Sequence, residues 1–153
     1  MVEPSSALER AKILILDAVD QGDVSSCVSI ITHGFPVDSP VVDTDVTLLM
    51  LVSAVGTADQ LQMILDLDPE VNQRDKIGRT ALHHSCSAGN LNTFKGLVEV
   101  DDVDIDVTTN AGFTPLMMAV NSEKIQLVAE CLNCNLNPFL KDGTGRTALD
   151  YAQ

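Results

Sequence analysis

Tryptophan is absent from the 153 residues, tyrosine occurs once and phenylalanine four times. A core of large rings is therefore excluded, and small and aliphatic side chains must build it, as suits thin, stacked helices. Cations are scarce: nine Lys and Arg face 22 Asp and Glu, for a net charge of −13. Binding nucleic acid through its phosphates needs clustered Lys and Arg, so that class is set aside. An anionic membrane surface is excluded on the same ground. Long apolar runs are missing too. The most apolar window, Leu48 to Val55, is far short of the ~20 residues that span a bilayer. The start, Met1-Val2-Glu3-Pro4-Ser5, has no basic stretch ahead of an apolar one, so no targeting signal is read there. These absences predict a soluble protein of the cytoplasm, with the nucleus as the other compartment it would fit.

Cysteine is also sparse. Cys27, Cys86, Cys131 and Cys134 are too few for a disulfide scaffold and read as reduced thiols used as small apolar residues. What remains is ample: 45% of the chain is hydrophobic, enough for one folded domain with a sizeable core.

The organising feature is a word that returns. Gly78-Arg79-Thr80-Ala81-Leu82-His83 recurs as Gly112-Phe113-Thr114-Pro115-Leu116-Met117 and again as Gly145-Arg146-Thr147-Ala148-Leu149-Asp150, at spacings of 34 and 33 residues. A weaker copy, Val46-Thr47-Leu48-Leu49-Met50, comes earlier, with Thr47 33 residues before Thr80. Around each copy the pattern predicts two short helices. They fall at Leu48–Val55 and Asp59–Leu67, Ala81–Ala88 and Asn92–Val100, and Pro115–Asn121 and Ile125–Asn133. The first segment, Ala7 to Gly34, reads as another helix pair, with Ser5 or Ser6 as its cap and Gly22 and Gly34 near the helix ends. Glu70-Val71-Asn72 and its equivalents read as extended leads. Asp45 and Glu123 stand where other copies have a turn glycine. Gly96 lies inside a predicted helix, where it costs about 1 kcal/mol against Ala, so a close helix contact is expected there.

This pattern resembles the ankyrin repeat family, whose signature is a 33-residue period with T-P-L-H-x-A. Thr80-Ala81-Leu82-His83-His84-Ser85 and Thr114-Pro115-Leu116-Met117-Met118-Ala119 carry the resemblance best. It implies an all-α ankyrin-repeat solenoid of stacked helix–turn–helix units joined by β-hairpin-like loops. A single domain is expected over 1–153: a capping unit at about 8–41, units at 42–74, 75–108 and 109–141, and an incomplete one at 142–153. Ile15, Leu49, Leu82, Leu116 and Leu149 would form one aliphatic ladder through the stack. Ala18, Val52, Ser85, Ala119 and Ala152 would form a second. Leu149 and Tyr151 would be left uncapped, which points to a longer natural chain or to something that covers them.

Candidate chemistry is thin. His83 and His84 are adjacent, so on a helix they point about 100° apart and chelate one ion poorly. The resemblance gives His83 a role in bracing the turn and places His84 on the concave side, open to a partner. Cys131-Leu132-Asn133-Cys134 has CxxC spacing but no second pair for zinc. Asp101–Asp106 lacks the Gly and Glu of a calcium loop, having Val107 and Phe113 at those positions. Cys86 has no orienting third group for nucleophilic catalysis, and Ser25, Ser26 and Ser29 have no G-x-S-x-G context. No enzyme, metal or cofactor is expected.

The resemblance implies a non-catalytic module, an adaptor, scaffold or inhibitor, that binds a partner protein through hairpin tips and the concave helix face. The alternative is a structural subunit of a larger assembly, or the N-terminal module of a longer protein, which the abrupt stop at Tyr151-Ala152-Gln153 favours. By position, the contact residues are Lys76, Ile77, Arg79 and His84, then Asn110, Ala111, Phe113, Met118, Asn121 and Ser122, then Thr144 and Arg146. Five of the nine cations, Arg74, Lys76, Arg79, Lys141 and Arg146, stand at or beside tips. The expected partner segment is therefore acidic and apolar, and Ala at Arg79 and Phe113 is expected to weaken its capture without lowering the melting temperature. The chain is expected to be a monomer unless its uncapped end associates.

Overall fold

The computed structural model describes residues 4–153. Among the described residues the chain forms helices, turns and loops, with no strand. The first pair is α1 (Pro4–Asp20) and α2 (Val24–Thr32), and the second is α3 (Leu48–Val55) and α4 (Ala58–Leu65). The third pair is α5 (Ala81–Ser87) and α6 (Leu91–Val98), the fourth is α7 (Pro115–Asn121) and α8 (Ile125–Asn133), and α9 (Ala148–Tyr151) follows. First helices pack in one layer, α3 on α5, α5 on α7 and α7 on α9. Second helices pack in another, α2 on α4, α4 on α6 and α6 on α8.

Local chemistry explains why the helices start where they do. Thr47, Thr114 and Thr147 precede α3, α7 and α9, and each hydroxyl accepts the N–H three residues on, at 3.4, 3.2 and 3.4 Å. That satisfies one of the donors left open at a helix start. At α5 the His83 ring instead accepts the backbone N–H of Thr80 itself, at 3.2 Å. Asp23, Thr57 and Asn90 cap α2, α4 and α6. α1 already begins at Pro4, so Ser5 and Ser6 fall in its first turn and not at the cap position expected of them. α4 and α6 are shorter than expected because the chain turns at Asp66 and Glu99. The leads around Val71-Asn72 and Ile105-Asp106 contain turns where extended chain was expected.

Those turns carry the stack's outer seam. Asp38, Asn72 and Asp106 each accept, at 2.8 Å, a backbone N–H from the next repeat: Glu70, Asp104 and Asn137. A parallel seam joins the tips, where Lys76, Asn110 and Gly143 donate to the carbonyls of Thr44, Ile77 and Ala111. Each tip is closed by two backbone bonds, as from Asp75 N–H to the Arg79 carbonyl and from Gly78 N–H to the Asp75 carbonyl, and no strand forms there among the described residues.

The aliphatic ladder forms as expected over most of its length. Ile15, Leu49, Leu82 and Leu116 are 0–2% exposed, but Leu149 is 66% exposed because nothing among the described residues packs beyond α9. Gly96 meets Leu61, whose Cδ2 would lie 2.8 Å from an added Cβ, so the close contact its position demanded is present. The turn at the second tip also forms. Asp45 takes φ +61°, in the left-handed region occupied by Gly78, Gly112 and Gly145 at the other tips, and Glu123 takes φ +59° where Gly89 has +70°. Short polar Asp tolerates that conformation.

Two tip glycines separate conformational strain from crowding. Gly112 and Gly145 share φ near +85°. An added Cβ at Gly112 would lie 2.7 Å from the Gly143 nitrogen, while at Gly145 nothing stands within 4 Å. Gly145→Ala is therefore expected to cost only the left-handed penalty of about 1–2 kcal/mol. Gly112→Ala must also push neighbouring tips away from each other, and urea unfolding should show it clearly the less stable of the pair.

Candidate functional site

The tips differ by one buried residue at their base. At the third pair it is Asp75, 6% exposed. Its Oδ1 accepts the N–H groups of Ile77 and Arg79 at 3.1 and 2.9 Å, which shapes the turn. Its Oδ2 accepts from Arg79 Nε at 2.9 Å and His84 Nε2 at 3.0 Å. Burial pushes this carboxyl up, but the Arg79 backbone, the guanidinium and His84 outweigh it and hold it below its ordinary value. At the fourth pair Thr109 does the same work, its hydroxyl accepting the Phe113 N–H at 3.1 Å. At the last tip Asp142 accepts from Thr144 and from the Arg146 N–H, and the Tyr151 hydroxyl donates to its second oxygen. That Tyr151 bond is the chief reason the Asp142 carboxyl lies far below its usual range.

The expected contact residues thus sort into two groups. Ile77, Asn110, Ala111, Phe113, Met118, Asn121 and Ser122 line one groove of about 590 Å³ between the third and fourth tips, together with Ser87 and Thr109. Ile77 is 54% exposed, Phe113 and Met118 are half-buried, and Asn110, Ala111 and Asn121 are exposed. Lys76 is exposed beside them. The others lie outside the groove. Arg79 is tied to Asp75. His84 lies on this face, but its Nε2 is taken by the same carboxylate and 13% of its side chain is exposed. Thr144 is bonded to Asp142, and Arg146 lies 5.8 Å over the Tyr151 ring. Arg74 donates to the Thr108 carbonyl at 2.7 Å.

Two of these contacts revise an expectation. Arg79 neutralises a buried carboxylate. The Phe113 ring is half-buried and lies 5.6 Å from that of Tyr151. Both therefore contribute to stability, and alanine at either position will not leave the melting temperature untouched. Thr109, which sequence reasoning did not single out, was signalled only by its register with Asp75 and Asp142.

The remaining polar candidates are occupied. His83 is fully buried and bridges Thr80 to the Phe113 carbonyl. Burial, with Cys131 beside it, pushes the Cys86 thiol well up, away from the thiolate that a nucleophile needs. Cys131 is buried and Cys134 half-buried. Asp106 spends an oxygen on Asn137. Among the described residues no group of three or more His, Cys, Asp or Glu is placed to hold a metal ion, and no helix is long and apolar enough to cross a membrane.

Known proteins are similar to this chain in sequence. A family model described as ankyrin repeats (3 copies) matches residues 15–110. Neurogenic locus notch homolog protein 1 of Danio rerio is 30% identical over 122 residues, which is 80% of this chain and 5% of that protein. Neurogenic locus notch homolog protein 2 of Homo sapiens is 32% identical over 104 residues, 68% of this chain and 4% of the relative. An ankyrin repeat-containing protein of Schizosaccharomyces pombe is 31% identical over 98 residues, 61% of this chain and 42% of the relative. The chain thus spans a small fraction of the Notch relatives and under half of the yeast one. With helix pairs in two layers, threonine-capped first helices and tips joined in series, the chain belongs to the ankyrin repeat family.

Proposed function

We propose that this chain is a non-catalytic protein-interaction module that holds an acidic, apolar segment of a partner between its third and fourth tips. Ankyrin repeats are generally protein–protein interaction modules, and the family is generally non-catalytic. The observation that carries the reading is the groove in which Ile77, Phe113 and Met118 meet, with the exposed Lys76 next to Ile77 in the chain. Such a site rewards burial of an apolar anchor, at about 25 cal/mol per Å². Lys76 and Lys141 add long-range attraction for carboxylates. Arg79 contributes less of this than its charge suggests, because Asp75 already faces it.

Displayed 12-residue peptides selected on the immobilised chain should come out rich in Asp or Glu beside Leu, Ile or Phe. Ile77→Ser and Lys76→Glu together should then weaken the best peptide by tenfold or more, about 1.4 kcal/mol. Melting should be unchanged, since both side chains are exposed. Equal binding by the variant would count against the groove.

A second reading has its own observation. Ile125 is 83% and Leu132 48% exposed, and with Val128 and Tyr151 they line a groove of about 710 Å³ at the end of the stack. α4 is covered by α6 and α6 by α8. A body that continued the second-helix layer would cover α8 and bring this chain into a larger assembly. Sedimentation velocity decides for the chain alone: concentration-dependent association that Ile125→Asp abolishes supports this reading, and a monomer at all concentrations removes self-assembly.

A further inference from the structure

The first-helix layer carries another groove, of about 930 Å³, at the opposite end of the stack. It runs along α1 and the end of α3, with Ile13, Leu16, Leu51 and Val55 as its apolar surface. Ile13 is 66% exposed and Val55 69%. The repeat does not ask for either residue. In register, Ile13 stands where Thr47, Thr80, Thr114 and Thr147 cap the later helices, and Val55 stands where Ala88 and Ser122 follow α5 and α7. Two large aliphatic groups thus face water at positions that elsewhere are polar or small.

The rim of this groove has one sign. Asp17 and Asp20 line it, both exposed, and no Lys or Arg does so among the described residues. Lys12, upstream on α1, is tied to Glu9 at 2.9 Å. The first groove differs, since its lining holds no acid and no cation.

We propose that the α1–α3 groove docks a basic amphipathic helix of a partner protein. Its aliphatic stripe rests on Ile13, Leu51 and Val55, and its Lys or Arg residues flank that stripe and meet Asp17 and Asp20. Helix-in-groove recognition presents such anchors at i, i+3, i+4 and i+7 on one side of the helix. Charge complementarity sets which helix is taken and speeds the encounter. The two grooves therefore select segments of opposite charge, and this one operates whether or not the first binds.

The probe is a fluorescein-labelled helical peptide of about 18 residues, or five turns, with Leu at those four spacings and Lys or Arg elsewhere. Its counterpart has Glu in place of the cations. Fluorescence anisotropy is followed with the full chain at about 0.15 M salt, where diffuse surface attraction is screened. The Lys peptide should bind and the Glu peptide should not. Asp17→Lys with Asp20→Lys should weaken binding at least tenfold, and Val55→Ser should weaken it similarly. Asp101→Lys with Asp102→Lys should change it less than twofold, and Ile77→Ser should leave it alone. The proposal is overturned if the Lys peptide fails to bind, or if both double reversals weaken it equally, as diffuse charge would. It is also overturned if the chain alone forms dimers that Val55→Ser dissolves, for then a second copy fills the groove.

Discussion

Between pH 7 and pH 4 the protein is expected to lose about 3 kcal/mol of folding stability through His83 alone. The ring is fully buried. Its Nδ1 accepts the Thr80 N–H at 3.2 Å, so Nε2 carries the proton and donates to the Phe113 carbonyl at 2.9 Å. A second proton would land on the nitrogen that already accepts a hydrogen bond, in a place without water. Burial is the main cause that lowers the basicity of this side chain, the Phe113 carbonyl opposes it, and His84 and Arg74 add to it; the result falls from 6.5 to about 4. The unfolded chain takes up the proton near pH 6.5 and the folded one does not until about pH 4. The stability from neutral His83 is therefore complete above pH 6.5, falls across the window down to about 4 and is gone below it. Two neighbours act in the same direction. His84 is also lowered, by burial and then Arg79 against the pull of Asp75, and Asp75 loses its contribution as it protonates below its ordinary 3.8. Urea unfolding at pH 7, 5.5 and 4 would compare the wild type with His83→Ala. The variant should be less stable at pH 7 and lose less on acidification, so that the two converge near pH 4. A parallel loss in both would remove His83 as the cause.

The bridge that gives His83 this role shows what the sequence could and could not say. The word around Gly78 revealed the turn, the helix start and the ladder, because those depend on residues close in the chain. The structural role of His83 came from the family resemblance, and its Nδ1 does serve a neighbour three residues away. Its other nitrogen reaches Phe113, 30 residues on, and that partner was not legible. Arg79 makes the same point in reverse. As a letter it is a free cation on a tip, yet Asp75, four residues earlier, had already engaged it. Counting Lys and Arg on an edge overstates its charge where the base of a tip holds an acid, as Asp75 does beneath Arg79. Asp38, Asn72 and Asp106 stay silent in the sequence because each caps a backbone amide in the next repeat, about 31–32 residues away. No local pattern marks such a partner.

Leu82→Ala is expected to cost about 2–5 kcal/mol and Leu149→Ala less than about 0.5 kcal/mol, although both leucines end the same five letters. Gly78-Arg79-Thr80-Ala81-Leu82 and Gly145-Arg146-Thr147-Ala148-Leu149 are identical. Both place a threonine at the helix start and a leucine in the ladder register. What differs is the neighbour. α5 lies between α3 and α7, and Leu82 is 1% exposed, whereas Leu149 is 66% exposed. Removing three carbons from Leu82 forfeits their burial and leaves a cavity between two helices that cannot both close on it. Removing them from Leu149 takes away atoms that already touch water. In a domain of this size 1 kcal/mol moves the melting temperature by about 2–4 °C, so Leu82→Ala should melt lower by about 10 °C and Leu149→Ala at nearly the wild-type temperature. The comparison also tests the end of the stack. Were Leu149→Ala as damaging as Leu82→Ala, the last helix would be covered in solution, by another copy or another body. The second reading of function would then displace the first. A small effect leaves α9 as an open edge, with the ladder running to Leu116 and stopping there.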